Sequence, residues 1–183
     1  VVTTHCGETC AAESRWRARQ SPSGLTVCNF SFAHCTLRVS VALAQIVYLW
    51  NAASGSISRL ARVDGPGDYI SSVRFSADGK HLAIGTNSAK VMVYDVQAET
   101  LVRTLEGHLH RVASLAWNGN AQLSSGSRDA SVMNHDLRAS ECTSVLRGHT
   151  QEICGLSWSS DGKLLASGSN DNTLRIWDAA KPC

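Results

Sequence analysis

The sequence predicts an all-β chain made of repeated antiparallel meanders, and three observations point to this fold class. Short apolar runs of strand length follow one another along most of the chain, and clusters of Ser, Asn, Asp and Gly separate them. The same landmarks then recur at roughly 40–45 residues. The clearest unit runs from Gly148 to Asp178, where the apolar runs 153–158, 164–169 and 173–177 alternate with the turn segments 159–162 and 169–172.

The repeat interval indicates that the meanders are blades of a β-propeller. Counted back from Asp178, the pair of residues that ends each unit recurs after 42, 41 and 44 residues, as His135-Asp136, Tyr94-Asp95 and the degenerate Trp50-Asn51. A Gly-His pair precedes two of the units, 41 residues apart. Such self-similarity is typical of four-stranded propeller blades. We therefore expect about three blades, fewer than the roughly 4–8 that close a ring, and hence a fragment of a longer protein.

Four polar residues of the last unit have the spacing of a buried hydrogen-bond relay. Ser167 and Ser169 share one strand face because side chains alternate, and Asp171 lies in the turn that follows. The imidazole of His149, a hydroxyl, this carboxylate and the indole N–H of Trp177 can then join a loop to two strands. We assign the hydroxyl to Ser167, with Ser169 as the alternative. The set resembles the structural tetrad of WD-repeat proteins.

Taken in order, the chain divides into two predicted parts. Residues 1–38 show no sustained period and are expected to lie outside the propeller or to be unreliable sequence. Residues 39–183 are expected to form a partial WD-repeat propeller, with VSVALA at 39–44 as an inner strand. Its predicted units are a blade remnant at 39–62 and blades at about 69–105, 107–146 and 149–178, the last without its fourth strand.

The relay is predicted to differ between blades. The 107–146 blade keeps His108, Ser125 and Asp129, while His135 takes the place of the indole. An imidazole N–H also donates, so the relay can persist there. The 69–105 blade loses members of the relay, and Pro66, Ser88 and Tyr94 stand at the positions of the histidine, the aspartate and the tryptophan. That blade is therefore expected to rely on apolar packing alone and to be the least stable of the three.

Composition excludes several classes of function. The 17 basic and 15 acidic residues give a net charge of +2, so neither nucleic acid nor an anionic membrane surface is an expected partner. The longest apolar run, 39–50, is shorter than the roughly 20 residues of a membrane span. Seven cysteines without a repeated spacing favour a reduced, intracellular compartment. No cofactor is expected.

Two groups of reactive residues lack the context that their chemistry needs. The His and Cys residues of the first 38 positions include no C-x-x-C pair, which argues against zinc, and they are His5, Cys6, Cys10, Cys28, His34 and Cys35. The His, Ser and Asp of each relay match a catalytic triad in composition, but they recur at blade spacing, so we interpret them as structural. No metal site and no enzymatic activity are predicted. A hydrolase that acts through Ser125 or Ser167 is the less favoured alternative.

Several stretches go beyond the generic repeat. They cover about 41–178 in order, and they are VALAQIVYLWNA, YISSVRFSADGKHLAIGT, RVASLAWN, LSSGSRDAS with HDLRAS, and GHTQEICGLSWSSDGKLLASGSNDN. Together they resemble the Fizzy family of coactivators of the anaphase-promoting complex, and more closely its mitotic branch. The resemblance implies a seven-bladed propeller that binds degron peptides, of the KEN type and the destruction-box type, and presents substrate proteins to a ubiquitin ligase.

The resemblance also implies where peptides bind and where the protein acts. The turn residues just before the tetrad aspartate should face the degron, which makes Asn170 the first candidate and Arg128 and Asn87 the next two. Implied partners are the anaphase-promoting complex and degron-bearing substrates, with spindle-checkpoint proteins left open, and the implied location is the nucleus and cytoplasm. The family's ligase-docking segments are not found here, so this chain alone is not expected to activate a ligase. The alternative function is a generic WD-repeat scaffold in another complex.

Overall fold

Strand pairing dominates the computed structural model, which describes residues 29–33, 37–41, 45–51, 54–140 and 142–180. In these ranges the chain forms fifteen β-strands and no helix. The strands form four antiparallel sheets, and within each sheet the strands are adjacent in chain order. Each sheet is thus a simple meander, as the all-β prediction required.

The strand bounds follow the predicted repeat closely. The first sheet contains β1 (Asn29–Ala33), β2 (Leu37–Val41), β3 (Ile46–Asn51) and β4 (Ile57–Arg62). The second contains β5 (Ile70–Phe75), β6 (His81–Thr86), β7 (Val91–Asp95) and β8 (Thr100–Leu105). The third contains β9 (Val112–Asn118), β10 (Gln122–Ser127), β11 (Ser131–Asp136) and β12 (Cys142–Arg147). The fourth contains β13 (Ile153–Trp158), β14 (Leu164–Ser169) and β15 (Leu174–Asp178).

The first sheet corrects the predicted boundary at residue 39. Strand β1 pairs with β2, and β2 pairs with β3 from Leu37↔Asn51 to Val41↔Val47. Residues 29–33 and 37–38 therefore contribute to a four-stranded first sheet, and the 39–62 segment is not an isolated remnant. The innermost strand is β1, so the strand that contains Val39 is the second one. Two strands of five residues are too short for a period of 2 to stand out, and only their pairing within the sheet identifies them.

The four sheets lie side by side around one axis. The first strands of neighbouring sheets contact each other in sequence, β1 with β5, β5 with β9, and β9 with β13. These are therefore the inner strands, and β4, β8 and β12 lie on the outside. This arrangement is that of consecutive propeller blades.

Three hydrophobic cores fill the spaces between successive sheets. Strand β6 shows how they alternate: Leu82 and Ile84 are fully buried against the first sheet, while Ala83 between them faces the third. Burying one such aliphatic side chain contributes about 1.5–3 kcal/mol. The core between the third and fourth sheets is built around Val132 and Ile153, both fully buried.

Small residues allow the inner strands to approach closely. A Cβ atom on Gly126 of β10 would lie 2.5 Å from Ser114 Oγ and 2.7 Å from Ile153 Cγ2 of the next blade. Ser114 in turn donates a hydrogen bond to the Ile153 carbonyl at 3.2 Å. The equivalent glycine of the second sheet, Gly85, is equally crowded by Ser72. Glycine is thus required at this position wherever another blade follows.

Candidate functional site

The three candidate peptide-binding residues lie on one edge of the blades. Each follows the second strand of its sheet, and its backbone N–H donates, at 2.9 Å, to the carbonyl of the residue just before the inner strand. Because the inner strands surround the axis, all three turns lie near it on the same side. We call this the turn face, and it comprises the pairs Asn87 with Tyr69, Arg128 with Arg111, and Asn170 with Glu152.

The candidates differ in what their side chains already bind. Asn170 is exposed, and its Oδ1 accepts a hydrogen bond from the Cys154 thiol at 3.2 Å, which leaves its amide N–H groups without a partner among the described residues. Arg128 is also exposed, and its guanidinium makes no hydrogen bond within the described ranges. Asn87 is half-buried and donates to the Gly67 carbonyl at 3.2 Å. Asn170 and Arg128 are thus the two candidates whose side-chain N–H groups all lack a partner among the described residues.

The structure joins all four members of the relay in the fourth sheet. His149 Nδ1 lies 2.8 Å from Asp171 Oδ2, and His149 Nε2 lies 2.8 Å from Ser167 Oγ. The indole N–H of Trp177 donates to the same hydroxyl at 2.8 Å. An Nδ1–H tautomer satisfies every group, because the hydroxyl then donates to Nε2. The alternative hydroxyl, Ser169, donates to the Gln151 carbonyl instead.

The carboxylate of this relay has a perturbed pKa. The hydroxyl of Thr173 is the main cause, and with the backbone N–H of Thr150 and the ring of His149 it holds the pKa of Asp171 well below its usual range. Each of these donors favours the ionised form. Asp171 therefore stays charged at neutral pH and ties the loop that precedes β13 to the turn that follows β14.

The third sheet forms the same relay with three of its four members. His108 lies 2.9 Å from both Asp129 Oδ2 and Ser125 Oγ. Burial raises the pKa of Asp129, but hydrogen bonds from His108 and Ser131 outweigh it and hold that pKa well below its usual range. In the described part of the chain no hydrogen bond joins His135 to Ser125. The predicted substitution of imidazole for indole therefore does not supply the fourth member.

His135 is instead an uncharged core residue. Its side chain is buried, and in the strand register it is opposite Leu123 of β10 and Cys142 of β12. Burial is the main cause that lowers its pKa to about 4, and the nearby charges of His108 and Arg103 add to the effect. At neutral pH the ring is therefore a packing group.

The second sheet replaces the relay with other hydrogen bonds. Asp68 Oδ1 accepts the backbone N–H of Ser88 at 3.0 Å and that of Tyr69 at 2.9 Å. The hydroxyls of Thr86 and Ser88 lie 2.9 Å apart. The expectation that this blade relies on apolar packing alone is therefore wrong. Asp68 lies two residues beyond Pro66, the position that corresponds to His149, so a comparison of corresponding positions does not identify it.

The turns of the face share one strained backbone position. Ala89, Ala130 and Asn172 have φ values of 67°, 64° and 64°, and each lies two residues after a candidate residue. The left-handed conformation costs roughly 1–2 kcal/mol for most L-residues, and Asn tolerates it better than Ala. The three turns therefore have the same backbone shape although their sequences differ.

Comparison with known proteins identifies the repeats. Residues 140–178 match the family model "WD domain, G-beta repeat", and residues 44–120 match "Anaphase-promoting complex subunit 4 WD40 domain". The chain is 49% identical over 141 residues to the WD repeat-containing protein slp1 of Schizosaccharomyces pombe, which covers 77% of this chain and 29% of slp1. It is 50% identical over 140 residues to the Anaphase-promoting complex subunit cdc20 of Dictyostelium discoideum, covering 76% of this chain and 28% of that protein. The chain belongs to the Fizzy family of WD-repeat proteins.

A solved structure matches this Fizzy-family chain in three dimensions. A chain of the "Crystal Structure of Mitotic Checkpoint Complex" superposes with a TM-score of 0.81 at 35% sequence identity, covering 98% of this chain and 59% of that one. The present chain spans less than a third of the length of the two curated relatives. A meiotic fizzy-related protein matches as well, so the mitotic branch stays a prediction.

In the Fizzy-family chain the triad-like serines are inaccessible. Ser125 and Ser167 are 0% and 1% exposed, and both hydroxyls are bound within their relays. A nucleophilic serine needs an exposed hydroxyl with oxyanion donors facing it. The buried geometry therefore supports the structural interpretation of both trios.

Other predictions concern metal and membrane. The residues weighed for zinc lie outside the described ranges, and the described residues contain no group of three His, Cys, Asp or Glu that could hold a metal ion. Within the same ranges no helix is long and apolar enough to cross a bilayer.

Sequence reasoning missed the side chains that connect the turn face of the Fizzy-family blades. Only the turn residues themselves are identified from the sequence. The residues whose carbonyls accept the turn N–H groups are Tyr69, Arg111 and Glu152, and they recur at intervals of 42 and 41 residues. That recurrence was a usable signal, since it matches the blade repeat. The contact between Cys154 and Asn170 had no signal in the sequence.

Proposed function

We propose that this chain forms part of the substrate-binding propeller of an anaphase-promoting-complex coactivator and that its turn face binds degron peptides. The proposal is supported by the relatives, one of which is named as a subunit of that complex. It is also supported by the exposed amide of Asn170 on the turn face. The proposed role is that of an adaptor, which binds its partners and does not itself catalyse a reaction.

The side chains of the turn face suit an extended peptide. An amide such as Asn170 both donates and accepts, so it can pair with a peptide backbone or a polar side chain. Arg128, one blade away, offers a guanidinium to a carboxylate, which is the strongest type of polar contact. Strand ends hold both residues, so little ordering is needed on binding. A peptide with an acidic residue beside an amide-binding residue fits this pair, as KEN-type peptides do.

The proposed partners follow from the same comparisons. They are the anaphase-promoting complex, degron-bearing substrates and checkpoint proteins, since the matched crystal structure is of a mitotic checkpoint complex. The proposed location remains the nucleus and cytoplasm.

Peptide titration tests the proposal directly. A fluorescent KEN-type peptide is titrated with the 183-residue chain by anisotropy, and with its Asn170→Ala variant. We expect roughly five- to thirty-fold weaker binding for Asn170→Ala, because one to two kcal/mol of hydrogen bonding is lost. Asn120→Ala is the matched control, because it removes an exposed amide in a turn at the opposite edge of the third sheet. Equal affinity of all three proteins would remove Asn170 from the site.

A further inference from the structure

One arginine connects three blades across the turn face. Arg111 donates from Nε to Glu152 Oε1 at 3.0 Å and from one terminal nitrogen to the same oxygen at 2.5 Å. Its other terminal nitrogen donates to the hydroxyl of Tyr69 at 2.9 Å. Tyr69, Arg111 and Glu152 each precede the inner strand of a different sheet. We call these three side chains the Arg111 bridge.

The same three residues hold the candidate peptide-binding turns. The carbonyls of Tyr69, Arg111 and Glu152 each accept one turn N–H at 2.9 Å, and the donors are Asn87, Arg128 and Asn170 respectively. A shift of any one bridge residue therefore moves the turn that is bonded to it. Because Arg111 touches both neighbours, it couples all three turns.

The bridge is sheltered enough to hold its geometry. The Arg111 side chain is 33% exposed and that of Glu152 only 12%. Pairs of this kind resist salt better than fully exposed ones. Hydrogen bonds to Tyr69 and then to Glu152 raise the pKa of Arg111, so the guanidinium is charged at every accessible pH. A planar fork with several fixed donors can span two partners in this way, whereas an ammonium group acts as a single point charge.

We propose that Arg111 is a positioning residue that sets the spacing of the turn face and, through Glu152, places Asn170 for peptide binding. This inference rests on the proposed function. Arg111 acts here through the backbone of Glu152, so it needs no contact with the peptide. Its removal should loosen the Asn170 turn while the sheets remain folded.

Hydrogen exchange provides a test that needs no peptide. The Asn170 amide is followed in wild type and in Arg111→Gln, with the Ala179 amide as internal reference, because it donates to the Lys163 carbonyl at the opposite edge of the same sheet. We expect exchange of the Asn170 amide to be roughly tenfold faster in Arg111→Gln, and that of Ala179 to be unchanged. Equal protection of Asn170 in both proteins would overturn the proposal.

Peptide affinity then separates positioning from a general loss of stability. Arg111→Gln should weaken KEN-type peptide binding about five- to tenfold, and Arg111→Lys should recover only part of it. The double variant Arg111→Gln/Asn170→Ala should bind only slightly more weakly than Asn170→Ala alone, because most of the effect of Arg111 is exerted through the Asn170 contact. Losses that multiply fully would show that Arg111 acts independently of Asn170 and would overturn the inference.

Controls keep the two hypotheses distinguishable. Arg138→Gln removes another arginine–carboxylate pair, with Asp136, in an exposed turn at the opposite edge, and should leave affinity and Asn170 exchange unchanged. If Arg111→Gln does not fold, the same exchange and affinity measurements are made on two milder variants. Tyr69→Phe removes the hydrogen bond between Tyr69 and Arg111, and Arg111→Lys weakens the contact with Glu152. If wild type binds no peptide, the proposed function fails, and the exchange of the Asn170 amide alone decides whether Arg111 positions the turn.

Discussion

Two glycines at the same blade position should respond oppositely to alanine. Gly126 and Gly168 each lie in the second strand of their sheets, and a Cβ on Gly126 would collide with Ser114 and Ile153 of the inner strands. A Cβ on Gly168 would meet nothing within 4 Å, because no described residue covers that side of the fourth sheet. The exposed side chains of Leu174 and Ile176, at 69% and 57%, are on this sheet. Alanine substitutions of these two glycines therefore test whether contact with the next blade is the reason for glycine at this position.

The size of the difference can be worked out from the contacts. Gly126→Ala must displace fully buried Ile153 or rotate Ser114, so it incurs about 1–3 kcal/mol of overpacking. The hydrogen bond from Ser114 to Ile153 contributes about another 1 kcal/mol if it breaks. Loss of glycine's backbone freedom offsets roughly 0.5–1 kcal/mol of this. The expected net destabilisation is about 1–3.5 kcal/mol for Gly126→Ala, against a gain of roughly 0.5–1 kcal/mol for Gly168→Ala.

Urea and thermal unfolding of the full chain, each followed by tryptophan fluorescence, measure both changes. A loss of about 2 kcal/mol would lower the thermal midpoint by roughly 4–8 °C in a chain of this size. Gly85→Ala should behave like Gly126→Ala, because Ser72 and Val112 crowd it in the same way. Similar midpoints for Gly126→Ala and Gly168→Ala would refute the argument that close approach between blades selects the glycine.

Three further substitutions test the relays and the turns. His135→Gln should reduce the loss of stability at acid pH. The pKa of His135 is about 4 in the folded chain against 6.5 when unfolded, so the native histidine lowers the free energy of unfolding by about 3 kcal/mol as pH falls from 6.5 to 4. Urea midpoints at both pH values would show this, and an unchanged pH slope would contradict it. Trp177→Phe removes the indole donor to Ser167 and should cost about 1 kcal/mol in urea, and no loss would show that the fourth relay member is dispensable. Ala130→Gly should raise the free energy of unfolding by about 1 kcal/mol, because glycine adopts the left-handed backbone without strain. The thermal midpoint should therefore rise, and a lower midpoint would contradict the strain argument.

Much of the fold could be predicted because local patterns and the repeat agreed. Strands β13 to β15 lie where the apolar runs 153–158, 164–169 and 173–177 placed them. The relay around His149 was also predictable, since Ser167 and Asp171 have a fixed spacing within one blade. These features depend on residues close together in the sequence, where pairing follows from short hairpins.

What could not be predicted depends on contacts between blades or on very short strands. The pairing of β1 with β2 has little local signal, which explains why the sequence predicts that residues 1–38 lie outside the propeller. The failure of His135 to join Ser125 depends on ring placement between strands, which residue type does not give. The Arg111 bridge joins positions 42 and 41 residues apart, and a single blade read alone does not show it.

Two adjacent residues of the Asn170 turn have different surroundings. Asp171 points inward to His149 and accepts the Thr150 amide, while Asn170 next to it is exposed. The carboxylate fixes the turn, so the neighbouring position can vary from Asn to Arg between blades without loss of backbone shape, as Arg128 beside Asp129 shows. A repeated fold can therefore present a different polar group from each blade. The Arg111 bridge adds the remaining requirement, because a ligand that spans several blades also needs their turns to keep a fixed spacing.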